Sequence, residues 1–128
     1  MKKPKGKTPS QAMCDRTLTP IIKAMYPRCL LCNNPTQVAH HHVHKSKSNA
    51  LRYYIPNLIN LCNSCHCALH QNESYHASRI IKIKGLKWFD DIERIKNQVT
   101  VKTDWIYYQQ QYERLNKILK DENKRNSQ

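Results

Sequence analysis

Two C-x-x-C knuckles, "CLLC" at 29–32 and "CNSC" at 62–65, stand 29 residues apart in this chain. Thiolates two residues apart can turn onto one ion, and two such pairs complete a tetrahedral site. Cys29, Cys32, Cys62 and Cys65 are therefore expected to hold a structural Zn²⁺. The opening "MKKPKGKTPS" is basic but has no apolar stretch behind it, so it does not read as a secretory signal. A reducing, cytoplasmic setting is the expectation, in a bacterial or phage-infected cell, and paired cysteines there mean metal more often than disulfide. Cys14 and Cys67 lack such spacing and read as ordinary side chains.

At 128 residues one modest core is the default. No run approaches the length of a membrane span, so no membrane partner is expected. Lys and Arg number 22 against 9 acidic residues, a formal charge of +13, which favours a polyphosphate partner, expected to be double-stranded or branched DNA. Charge says nothing about what is done to that partner.

Residues 1–18 read as a basic, disordered tail. Thr19 and Pro20 open a short helix carrying Ile21, Ile22 and Met25. "TQVAHHHVH" suits a strand, "KSKSNALRYYIPN" a loop, and "NLINLC" a second strand entering the second knuckle. The pattern turns helical from Cys65, and a further helix runs from Ser74 to Gly85. Leu86, Phe89, Ile92 and Ile95 mark another. Trp105, Tyr108, Tyr112, Leu115 and Leu119 then form an amphipathic stripe. The organisation expected is an α+β core over 19–72, a helical extension over 73–122 and a frayed tail over 123–128. The extension is expected to grip DNA or to pair with a second subunit as a homodimer. Trp88, Phe89 and the aromatics of the stripe read as a small helical core rather than a base-stacking platform.

Between the knuckles lies "VAHHHVHKSKS", and the second knuckle runs on into "CHCALH", which places His66 and His70 four apart on one helical face. Such a pair offers two imidazoles to one ion. Strand and helix histidines pinned by one knuckle can converge on a second metal.

"CLLC…AHHHVHKS…N…LCNSCHCALH", residues 29 to 70, resembles the HNH endonucleases, the ββα-metal or His-Me finger group, in their zinc-stapled phage and bacterial form. Colicin-type DNases are similar in metal-site spacing. The resemblance implies a ββα-metal core in which His40 binds the catalytic ion and His41 is the general base. It implies that Asn57 braces the loop orienting His41, and that His66 and His70 complete the metal site. It further implies hydrolysis of DNA phosphodiester bonds to 5′-phosphate and 3′-hydroxyl ends, with Mg²⁺, Mn²⁺ or Ni²⁺, in phage recombination or DNA processing. A zinc-dependent DNA-binding module with a degenerate nuclease site is the alternative, and a helical interaction protein a second.

His42 stands where an aliphatic residue is common in this family, so His41–His42 competes with His40–His41 as the working pair. Strand alternation puts His40, His42 and His44 on one face and His41 on the other, so a pair serving one site requires the strand to end or kink there. Lys45, Lys47 and Arg52 are candidates for holding phosphates beside the scissile one, Arg52 foremost because guanidinium grips phosphate bidentately. His44 reads as a phosphate-side or solvent residue.

Overall fold

The computed structural model describes residues 2–127. Its centre is an antiparallel pair, β1 (Val38–His41) and β2 (Leu58–Leu61), with Val38 opposite Leu61 and His40 opposite Ile59. β2 is buried along its whole length, which suits its apolar sequence "LINL". The chain is α+β and mostly helical, with this small sheet between helical layers.

α1 (Gln11–Asp15) and α2 (Leu18–Met25) lead into the first knuckle. α1 differs from the expectation of a disordered tail over 1–18. Ser10 caps it by accepting from the Met13 amide, and Cys14 is fully buried. Cys14, Leu18, Ile21 and Ile22 form one core with Tyr53, Leu58 and Leu115. A five-residue helix carries too little periodicity to announce itself, and its Ser10 cap and tertiary contacts hold it.

Between the strands the expected loop contains α3 (Asn49–Arg52), capped by Ser48, and a 3₁₀ turn over Ile55–Asn57. Leu51 and Tyr53 are buried by these turns rather than by strand alternation. α4 (Asn63–Gln71) follows the second knuckle, then α5 (Glu73–Lys84) and α6 (Leu86–Gln98). Gly85 joins the last two at φ +100°, a conformation that a side chain would strain.

α7 (Trp105–Asn126) is capped by Asp104 and runs through most of the segment expected to fray. Asn126 donates to the Ala24 carbonyl at 3.0 Å. Tyr108, Tyr112, Leu115 and Leu119 of its stripe pack on the core that α1 and α2 build, so the stripe is covered within the chain. A second core joins Cys29 and Cys62 to Ile59, Leu61, Leu69 and Ile80, and a third joins Val43, Leu51 and Ile92. None of the described helices is long and apolar enough to cross a membrane.

Candidate functional site

The four knuckle cysteines come together with all their Sγ atoms within 4.8 Å of one another. Cys32 and Cys62 lie 3.4 Å apart, far beyond the ~2.05 Å of a disulfide. Four thiolates around an ion at about 2.3 Å sit roughly 3.8 Å from each other, so the donor set fits a structural metal. Local sequence builds the first knuckle: the Cys29 amide donates to the Asn34 carbonyl at 2.6 Å, and Asn33 takes φ 66°, which asparagine tolerates. Asn60, buried in β2, docks that knuckle on the sheet by donating to the Arg28 carbonyl.

The second knuckle is the N-terminal turn of α4. Cys62 caps the helix, its Sγ accepting from the Cys65 amide, and this bond draws its thiol down to about 7. A helix N-terminus favours a thiolate and hence a bound cation. The same helix presents His66 and His70, whose Nε2 atoms lie 3.1 Å apart. That is a hydrogen-bond distance, and also the chord of two ligands at about 95° on an ion at about 2.1 Å.

His40 faces this pair from β1, its ring centroid 5.3 Å from that of His66 and 6.3 Å from that of His70. Burial, reinforced by neighbouring imidazoles, pushes His40 down to about 3, so it is neutral and able to ligate. The cysteines are the only group of three or more ligating side chains gathered within 4.8 Å among the described residues. The three imidazoles form a more open set, facing one another across a cleft of about 400 Å³ that His41, His44, Lys45 and Asp15 also line.

His41 reaches this cleft because β1 ends at it. Its Nε2 bonds the Arg52 carbonyl at 2.9 Å. A carbonyl only accepts, so Nε2 carries the proton and Nδ1 keeps the lone pair. Burial lowers its pKa and keeps the ring neutral near pH 7. His42 turns away from the cleft, its ring 4.8 Å from Trp88, with burial again lowering its pKa. His40 and His41 therefore both line the cleft, and His42 does not.

Asn57 is fully buried and acts as a peptide substitute across the end of the sheet. Its Oδ1 accepts from the Val43 amide at 2.9 Å, and its Nδ2 donates to the carbonyls of Val43 and Leu51. Its own carbonyl accepts from the His42 amide. These bonds fix the backbone on both sides of the loop that carries His44 to Ser48.

Lys45 is exposed at the cleft, whereas Lys47 is exposed at a neighbouring cavity. Arg52 is not free for phosphate: its Nε and Nη2 donate to the two oxygens of Asp15 at 2.9 and 2.7 Å. Burial opposes ionisation of Asp15, but hydrogen bonds from Arg52 and Tyr53 hold its carboxyl below the usual range. Two residues escaped sequence reasoning. Asp15 lay in the stretch read as a tail, with its partner 37 positions away. Glu73 opens α5 and bonds His44 Nε2, which lowers its own pKa. The only sequence hint was its place three residues after His70.

Comparison with family models, with characterised proteins and with solved structures returns no match for this chain.

Proposed function

We propose that this chain is a metal-dependent endonuclease of the HNH type, hydrolysing DNA phosphodiester bonds to leave 5′-phosphate and 3′-hydroxyl ends. The observation that carries the reading is the meeting of imidazoles from β1 and α4 in one open cleft, beside a tautomer-fixed His41. Zn²⁺ on the four cysteines would be the staple that holds α4 to the first knuckle. His40, His66 and His70 would hold the second ion, with Mg²⁺, Mn²⁺ or Ni²⁺ compatible with such ligands. When bound, that ion supplies charge relief to the phosphate and to the leaving 3′-oxygen.

The chain's own residues do the rest. His41 takes a proton from water on Nδ1, while the Arg52 carbonyl stabilises the Nε2–H that becomes half of an imidazolium. Asn57 keeps that carbonyl and the β1 end in register, because it ties Leu51 and Val43 together. Lys45 at the cleft rim attracts the phosphodiester, and the surplus of 22 basic over 9 acidic residues brings DNA to it.

The test is nicking of supercoiled plasmid with Mg²⁺ or Mn²⁺, with and without EDTA, beside His41→Ala. Wild type should cleave and the variant should lose about 10² in rate or more, the range of a general base. Equal cleavage by both would remove His41 from the chemistry. DNA binding without cleavage by either would favour the binding-module reading.

A further inference from the structure

Phe89, expected from the sequence to join a helical core, belongs to none of the three apolar cores, although its neighbour Trp88 packs against two of them. Its ring instead lines a second cavity of about 540 Å³, between the loop after β1 and helices α5 and α6. The size falls in the range of small-molecule sites. Val43, Ala77 and Ile81 give this cavity an apolar lining, and His42 stands edge-on to Phe89 at 6.5 Å.

The remaining lining is polar. Lys47, Glu93, Lys96 and Asn97 contribute charge and amide hydrogen-bonding groups. Lys96 pairs with Glu93 at 3.1 Å, leaving Asn97 and Lys47 without side-chain bonds among the described residues. An aromatic ring beside aliphatic side chains, with amide and cationic groups alongside, matches a nucleobase: a flat π-face for stacking and an edge of donors and acceptors.

Position ties this cavity to the histidine cleft. His44 lines both, and Glu73 holds it by a hydrogen bond to Nε2. The turn that brings the Lys47 amide to the His44 carbonyl at 2.9 Å sets a lysine beside this partition. A strand whose phosphate lay in the cleft and which crossed this shared wall at His44 would bring its neighbouring base to the Phe89 cavity. A base still paired and stacked in a duplex cannot enter a pocket, whereas an unpaired base can.

We propose that the Phe89 cavity binds an unpaired nucleobase next to the scissile phosphate, so that the preferred substrate is DNA with an unpaired strand, such as a flap or a branch. This rests on the nuclease reading for the cleft, but the pocket is tested by binding alone. The probe is a flap oligonucleotide with 2-aminopurine at the first unpaired nucleotide, compared with a fully paired duplex carrying the same label. Full-length protein is titrated with Ca²⁺ in place of Mg²⁺, and cleavage of both probes is measured separately with Mg²⁺.

Wild type should bind the flap at least about tenfold tighter than the duplex, the scale of one base–aromatic stack. Phe89→Ala should remove that preference while duplex affinity stays. Ala77→Phe, which fills the cavity without emptying a core, should do the same and keeps the test decisive if Phe89→Ala folds poorly. Equal affinity of wild type for the two probes, or an unchanged preference in Ala77→Phe, overturns the proposal. Cleavage without preference would sink the pocket and leave the nuclease standing; preference without cleavage would do the reverse.

Discussion

Asn57 shows how one side chain can set a site it does not line. Its amide closes three hydrogen bonds to backbone on two segments, and it is fully buried. Asn57→Ala leaves the Val43 amide and two carbonyls without those partners, at about 1–3 kcal/mol for each group left unsatisfied. We expect urea unfolding of the variant to show a loss of about 3 kcal/mol, with some relaxation of the loop included. A variant as stable as wild type would mean that water replaces the clamp. The family resemblance implies a bracing role for Asn57, and its hydrogen bonds tie Val43 to Leu51 across the intervening loop. Arg52 went the other way. Its value as a phosphate ligand seemed high because guanidinium suits phosphate, but Asp15 suits it equally and lies within the fold. Residue type states what a group can bind, and only tertiary structure states what it does bind.

At the scale of elements, α4 carries two kinds of site on one rigid rod, with Cys62 and Cys65 in its first turn and His66 and His70 on the turns that follow. Cys62→Ser therefore removes a thiolate, the N-cap and the staple together. We expect elemental analysis of the wild type to give about one zinc per chain, and the variant to lose that zinc together with much of its helical circular dichroism. His70→Ala, exposed and outside the cores, should keep both. Retention of zinc by Cys62→Ser would dismantle the four-cysteine assignment. The knuckles, the two strands and the longer helices were legible because each writes its own period or spacing. α1 and α3 were not, since helices of five and four residues display no stripe and depend on Ser10 and Ser48 caps plus burial. Alternation asks for an end or a kink at His41 if a histidine pair serves one site; β1 ends there, and the Asn57 side chain takes the Val43 amide beyond it.

For the molecule as a whole, the buried imidazoles dictate a common response to acid. His40, His41 and His42 all have pKa values below the ordinary 6.5, chiefly through burial. Between that value and the folded one, about 3 for His40, the unfolded chain binds more protons than the folded chain. Stability is thus fully present above about pH 6.5 and declines as pH falls below it. Asp15, with a lowered carboxyl pKa, adds a further loss only nearer pH 4 and below. Urea midpoints measured from pH 8 to 5 should be flat and then fall; a midpoint that rises below pH 6.5 would contradict the buried, neutral state of these rings. The extent of this shared interior was hard to foresee. The core that buries Cys14 draws on α1, α2, β2 and α7, so α1 and the C-terminal helix belong to one body rather than to appendages.

Metal capture by the two knuckles would also act on the folding of what lies between them. β1, α3 and β2 all lie in the 29 residues between "CLLC" and "CNSC", so a metal captured by the four thiolates closes the loop that contains them. Closing such a loop in advance removes much of the entropy that the pairing of β1 with β2 must otherwise overcome. A newly made chain would then become competent only after it had acquired its metal. The supply of that metal, more than the amount of protein, would set how much working cleft a cell contains.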